Sequence, residues 1–144
     1  MNRIIFLLSC VLVFSSCKKE EEDPIAPVLE FKSISSTSVV QFDNEIVVTF
    51  GYEDYQGDLG HQDPDVVSLR VKDARLDEAD MYHIPPMTPE QQELHIKGTY
   101  SVNLNHVFLL GNGASETTKF TIQIQDRAGN WSNEVVTPVV TIEP

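Results

Sequence analysis

The sequence predicts an all-β fold, an antiparallel sandwich of about seven short strands. Three observations predict it. Apolar and polar residues alternate with a period of two in most segments after residue 28, turn residues separate these segments, and no long helical period appears. Because successive side chains of a strand point to opposite faces, this alternation is typical of sheets with one buried and one solvated face.

The predicted strands follow one another at short intervals. They cover residues 28–34, 46–53, 67–72, 81–84, 100–105, 120–125 and 135–142. The turns between them include Asp43-Asn44 and Gly111-Asn112-Gly113, whose residue types favour tight turns. Pro138 cannot donate to a ladder, so the last strand is predicted to be an edge strand or to carry a bulge. The run from Thr88 to Gln91 resembles a capping box and predicts one short helix.

Seven such strands in just over a hundred residues are typical of an immunoglobulin-like β-sandwich. The period of two also assigns faces to the side chains. Thr121, Gln123 and Gln125 are expected to face solvent, and six apolar side chains are expected to share one core: Phe50, Leu69, Val71, Phe120, Ile122 and Ile124.

The N-terminal segment has the layout of a secretory signal, with Arg3, a short apolar run and small residues before Cys17. Phe14-Ser15-Ser16-Cys17 resembles the lipobox of bacterial lipoproteins, which implies that Cys17 is acylated and becomes the new N-terminus. A cut before Cys10 would leave too short an apolar run. The alternatives are an ordinary cleaved signal and a buried helix. We therefore expect a lipoprotein signal peptide over 1–16, the acylated cysteine and a disordered tether over 17–27, and the β-domain over 28–144.

Cysteine content and charge narrow the classes of function. With Cys10 removed and Cys17 acylated, the mature domain has no disulfide and no cysteine metal ligand. Loss of residues 1–16 removes Arg3 and no acidic residue, so the net charge changes from −12 to −13. Nucleic acid is excluded as a partner because no basic patch meets phosphates. Cations and partners with basic surfaces are favoured instead.

Two loops carry the candidate site. Residues 53–65 hold five carboxylates without a Lys or Arg, and residues 126–133 form the second loop. In an immunoglobulin-like sandwich these are the B–C and F–G loops, which lie at the same end. Carboxylate and amide oxygens on flexible loops suit weak calcium binding. The predicted ligands are Asp54, Asp58 and Asp126, followed by Asp63, Asp65 and Asn130.

Simpler explanations exist for each of these residues. The aspartates could accept backbone N–H groups in Asx-type turns, or Arg127 could pair with Asp54 or Asp58. Trp131 and Tyr55 are candidates for binding a glycan or a protein by stacking, although Trp131 could pack over its own hairpin instead.

An enzyme is not expected. The four histidines have no ligand spacing, and neither a nucleophile elbow nor a phosphate-binding glycine loop occurs. A pair of glycosidase carboxylates would need a groove that so small a sandwich rarely provides.

The two loops also carry a family resemblance. The run 52–60, the run 126–133 and the ending Val135-Val136-Thr137-Pro138 resemble small, uncharacterised Bacteroidota surface lipoproteins, although Tyr55 and Gln56 stand where that group tends to have Gly and Asp. The acidic run after Cys17 resembles their surface-export signal. The resemblance implies an immunoglobulin-like domain, lipid-anchored in the outer membrane and exposed at the cell surface, or alternatively facing the periplasm. It implies no activity, so we expect a binding or interaction module, or alternatively a structural accessory lipoprotein without a ligand.

Overall fold

The computed structural model describes residues 22–43, 45–89, 92, 94–104 and 107–144. The described residues contain strands and no helix. There are ten strands: β1 (Val28–Ile34), β2 (Ser38–Val40), β3 (Ile46–Asp54), β4 (Leu69–Asp73), β5 (Asp80–Tyr82), β6 (Ile96–Leu104), β7 (Glu116–Thr118), β8 (Phe120–Ile124), β9 (Val135–Val136) and β10 (Val140–Glu143). The predicted all-β class is confirmed.

The strands form three sheets. One has the order β1-β3-β6, the second β5-β4-β8-β9 and the third β2-β10-β7. All neighbours are antiparallel except β2 and β10, which run parallel. The long ladder between β3 and β6 runs from Ile46↔Leu104 to Asp54↔Ile96 without a shift in register. This arrangement is consistent with the sandwich that the sequence predicts.

Two short interruptions shape the last four strands, and the second divides the strand that the sequence predicts over 135–142. Lys119 separates β7 from β8, and the segment 137–139 separates β9 from β10. Pro138 lies in the second break, as expected of a residue that cannot donate to a ladder. The chain changes sheets at each break, because β7 and β10 belong to the third sheet and β8 and β9 to the second.

One core joins the sheets. The six apolar side chains that the alternation assigns to it are all at most 5% exposed, and Phe50 and Ile122 are fully buried. The expected solvent position of Gln123 is wrong. Its side chain is buried because its Oε1 accepts from the Arg70 guanidinium and its Nε2 donates to the carbonyl of Ser132 at 2.7 Å.

The predicted helix is absent from its described part. The Thr88 hydroxyl donates to the carbonyl of Gly57, so it does not cap a helix, while Glu90 and Gln91 lie outside the described residues. Cys17 and the signal peptide also lie outside them. Among the residues that the structure describes, no helix is both long enough and apolar enough to cross a bilayer.

The sandwich has two opposite ends. We call the end where β3 and β8 finish, next to Asp54 and Asp126, the acidic end. β1 begins at this same end, because Val28 pairs with Glu53. The far end is where β3 and β8 begin, at Ile46 and Phe120.

Candidate functional site

Each loop of the acidic end is organised by an aspartate at the end of a strand. Asp54 closes β3 and is fully buried. Its Oδ1 accepts the amide of Gln56 at 3.2 Å, and its Oδ2 accepts the amide of Asp58 at 2.9 Å. Gly57 continues the turn with a φ of +67°. A Cβ there would collide with the carbonyl of Leu94, so the turn needs glycine.

Asp126 does the same in the second loop. It is 2% exposed, its Oδ1 accepts the amide of Asn130 at 2.7 Å, and its Oδ2 accepts Nδ2 of Asn130 at 2.9 Å. The amide of Gly129 donates to the Asp126 carbonyl at 3.2 Å. Both loops are therefore closed by a carboxylate that binds the backbone four residues later.

Asp58 joins the two loops. Its carbonyl accepts the amide of Arg127 at 3.0 Å, and its Oδ2 accepts the amide of Ala128 at 3.1 Å. Leu59, which is fully buried, forms an isolated bridge with Asp126. The structure thus brings together the two loops that the sequence places at one end.

The carboxylates of this cluster affect the ionisation of Asp58. Burial raises the pKa of Asp58 above its ordinary value, and the charges of Asp126 and Asp54 raise it further. Its Oδ1 and the Oε1 of Gln56 are buried and have no hydrogen-bond partner among the described residues. These two oxygens are available for a cation or a water molecule, whereas both oxygens of Asp54 and of Asp126 already accept N–H groups.

The salt-bridge alternative for Arg127 is wrong. Its Nη2 donates to the carbonyl of Gly57 at 3.2 Å and to the Thr88 hydroxyl at 3.0 Å, so it fastens the first loop by neutral groups. Thr88 lies outside both loops in sequence and was missed for that reason. Arg127 therefore forms no ion pair with Asp54, Asp58 or Asp126.

The other predicted site residues take local roles. The amide of Asp65 donates to Oδ1 of Asp63 at 3.0 Å, and both side chains are exposed in their own turn. Trp131 lies under the guanidinium of Arg70, 4.6 Å from its ring centroid, and bridges to Gln125. Tyr55 stacks on His95 with ring centroids 4.3 Å apart, so each aromatic candidate already has its own partner, Arg70 for Trp131 and His95 for Tyr55.

Within the described residues, no group of three or more His, Cys, Asp or Glu side chains is arranged to hold a metal ion. The hydrogen bonds of Asp54 and Asp126 are those of turn closure. Calcium binding therefore stays a prediction, and Asp58 with Gln56 is the place where it can be tested.

We expect Asp58→Asn to raise the melting temperature in the presence of a chelator at pH 7. A carboxyl whose pKa is raised by folding contributes stability only at low pH and loses it as pH rises through its folded pKa, so the charged form destabilises the fold at neutrality. The amide keeps an acceptor for Ala128. For a partly exposed group the expected gain is about 0.5 kcal/mol.

The same melting series tests calcium. Calcium bound at Asp58 would stabilise the wild type in millimolar calcium and leave Asp58→Asn unchanged. A wild-type melting temperature that does not change with calcium contradicts the calcium prediction and leaves turn closure as the role of these aspartates. Asp63→Asn, which removes an equal charge from an exposed turn, is the matched control.

Comparison of the chain with protein-family models, with curated proteins and with solved structures found no match.

Proposed function

We propose that this chain is a lipid-anchored interaction module of the bacterial cell envelope, displayed at the outer surface on a short tether. The observation that carries the proposal is the way the chain enters the domain. Cys17, the cysteine of the lipobox-like motif, precedes the first strand by eleven residues, a reach of roughly 40 Å when fully extended. An acyl anchor at Cys17 would hold the acidic end toward the membrane.

The entry point is firmly attached to the domain, which supports a defined orientation. The amide of Leu29 donates to Oδ1 of Asn133, and Nδ2 of Asn133 donates to the carbonyl of Leu29 at 2.9 Å. Pro27 is buried, and Nδ2 of Asn130 reaches the carbonyl of Ile25. Tether and acidic end thus meet, and the far end would point away from the membrane.

Strand order supports an immunoglobulin-like identity for the sandwich. When β1, β3 and β6 are taken as strands A, B and E, they form one sheet. When β4, β8 and β9 are taken as strands C, F and G, they form the other. This division is typical of immunoglobulin-like domains, which commonly serve as interaction modules at cell surfaces. Fold alone assigns no ligand.

We expect Cys17→Ala to move the protein from the membrane to the soluble fraction, because the acyl chains are lost with the thiol. Cys10→Ala is the matched control and should leave the protein in the membrane. Fractionation followed by immunoblotting measures both. Release by Cys10→Ala, or membrane retention of Cys17→Ala, contradicts the proposed anchor, and protease treatment of intact cells distinguishes surface display from the periplasmic alternative.

A further inference from the structure

The far end of the sandwich carries an exposed apolar surface. Phe42 is 66% exposed and stacks on Phe108 with ring centroids 5.9 Å apart and planes nearly parallel. Phe108 is 41% exposed and also lines a small cleft beside it, together with Leu110, which is 46% exposed. Contiguous apolar side chains left in solvent are typical of interaction sites.

The backbone of Phe42 has a conformation that residues other than glycine disfavour. Its φ is +61°, the left-handed region, and among the described residues it is the one non-glycine with a positive φ. The amide of Phe42 donates to the carbonyl of Val107 at 3.1 Å, which fixes this conformation. An aromatic residue in this region costs about 1–3 kcal/mol. An exposed ring at a strained position gains little from burial, so stability does not account for it.

The cleft next to Phe108 suits a slender side chain. Its volume is about 60 Å³. Its wall is mostly apolar, and the charged residues on its lining are Asp73, Arg75 and Asp80. We call it the apolar cleft; its lining used here is Leu76, Asp80, Tyr82, Phe108 and Leu110.

Of the two carboxylates on the cleft lining, one is paired with an arginine and one makes no ion pair with a described residue. Arg75 lines the cleft but is engaged by Asp73 and Glu116 at 2.7 and 2.6 Å. Asp43 and Asp80 are exposed and make no ion pair with another described residue, whereas Asp77 and Glu78 line a separate cleft together with Arg70 and Lys72. The cleft is therefore mostly apolar, and Asp80 is the carboxylate on its lining that makes no ion pair with a described residue.

We propose that the apolar cleft docks a lysine-bearing apolar segment of a partner protein, with the lysine stem against Leu110 and Phe108 and its ammonium at Asp80. A lysine buries its methylenes along apolar surface while its charge stays at a carboxylate, which is the chemistry this cleft offers. Charge complementarity with Asp80 selects this occupant. The proposal deepens the proposed function, on which it rests, by naming the surface and the partner's chemistry.

A second copy of the chain is the less suitable occupant. Two far ends brought together would oppose the same carboxylates, and the sequence carries a net charge of −12. Like charges in contact across an interface disfavour association. A partner with basic residues around its contact surface would instead be attracted to these carboxylates.

The test uses the full chain purified in detergent and a fluorescein-labelled nine-residue peptide in which leucine and lysine alternate. Fluorescence anisotropy measures its binding, with empty micelles subtracted. We expect saturable binding, and at least fivefold weaker binding of two control peptides, one with glutamate in place of lysine and one with serine in place of leucine. Equal binding of the serine peptide would overturn the proposal, because it would reveal attraction by net charge alone.

Three variants locate the site. Phe42→Asn removes the ring but suits the left-handed backbone, so binding should weaken about fivefold while the melting temperature stays equal or rises. Asp80→Asn should weaken binding similarly, and Asp63→Asn, the same change at the acidic end, should alter it less than twofold. Equal weakening by Asp63→Asn and Asp80→Asn overturns the site.

Sedimentation velocity tests whether a second copy of the chain occupies this surface. A dimer that Phe42→Asn dissociates would assign the surface to a second copy and overturn the lysine partner. Peptide binding is measured on purified protein, so it does not depend on the anchor. Failure of the Cys17→Ala fractionation and failure of the peptide titration are therefore separate results.

Discussion

Replacing Phe50 by Ala is expected to lower the free energy of unfolding by about 4 kcal/mol, the range for a buried aromatic side chain. Phe50 lies in the middle of β3, is fully buried and packs its ring 5.9 Å from that of Tyr100. Removing the ring loses its favourable free energy of burial and leaves a cavity in the core. Urea denaturation followed by Trp131 fluorescence or circular dichroism measures the loss.

Thr49→Ala is the matched control on the same strand. Thr49 faces outward, and its hydroxyl shares a hydrogen bond with that of Ser101 at 2.8 Å, so the loss should stay below about 1 kcal/mol. Comparable losses for Phe50→Ala and Thr49→Ala would mean that the inward and outward faces of β3 are assigned incorrectly.

Arg75→Ala is expected to cost about 3 kcal/mol, because it leaves a buried carboxylate without its cation. Asp73 is 8% exposed, and its carboxylate accepts from the Arg75 guanidinium, the Arg75 amide and the Thr118 hydroxyl. The same guanidinium binds Glu116 and the carbonyl of Phe108 at 2.9 Å. One arginine therefore joins the β4 end to the loop that precedes β7.

Lys32→Ala supplies the comparison for Arg75→Ala. Lys32 and Glu30 form an exposed pair at 2.6 Å, which should contribute little to stability because solvent screens it. An Arg75→Ala loss no larger than that of Lys32→Ala would contradict the structural role of the buried pair.

The pH dependence of stability gives a second measure of the Arg75 network. Burial opposes ionisation of Asp73, but the hydrogen bonds from Arg75 and Thr118 outweigh it and hold the pKa of Asp73 below its ordinary value. A carboxyl with a lowered folded pKa stabilises the protein above its unfolded pKa, about 3.9, and loses that contribution as pH falls through the folded pKa. Arg75→Ala should therefore flatten the loss of wild-type stability below about pH 4.

The fold was largely predictable because alternation reports burial directly. Residues such as Ile122 and Val71 alternate with polar neighbours, and each lies in the core. Gln123 departs from the pattern because Arg70 and Ser132 satisfy its amide, and long-range hydrogen bonds leave no periodic signal. Three-residue strands such as β2 and β7 are too short for a period of two to stand out.

The candidate site was predictable in position and less so in detail. Loops that follow facing strands meet at one end, and this places Asp58 beside the loop of Asp126 from topology alone. Which carboxylate oxygens are already occupied depends on turn geometry, as with the amides that Asp54 accepts. Thr88 was predicted to cap a helix, because a local capping pattern does not show that its hydroxyl donates to the distant carbonyl of Gly57. Phe42 gave no signal, since an exposed ring looks ordinary in a loop sequence.

The entry of the chain at the acidic end has a mechanical consequence for an anchored protein. If a partner bound at the far end pulls outward, tension enters through the tether at Val28 and runs along the axis of β1. The ladder from Val28↔Glu53 to Ile34↔Val48 lies across that direction, since hydrogen bonds between antiparallel strands are perpendicular to them. The load is then shared in shear by the whole ladder and does not open it one bond at a time.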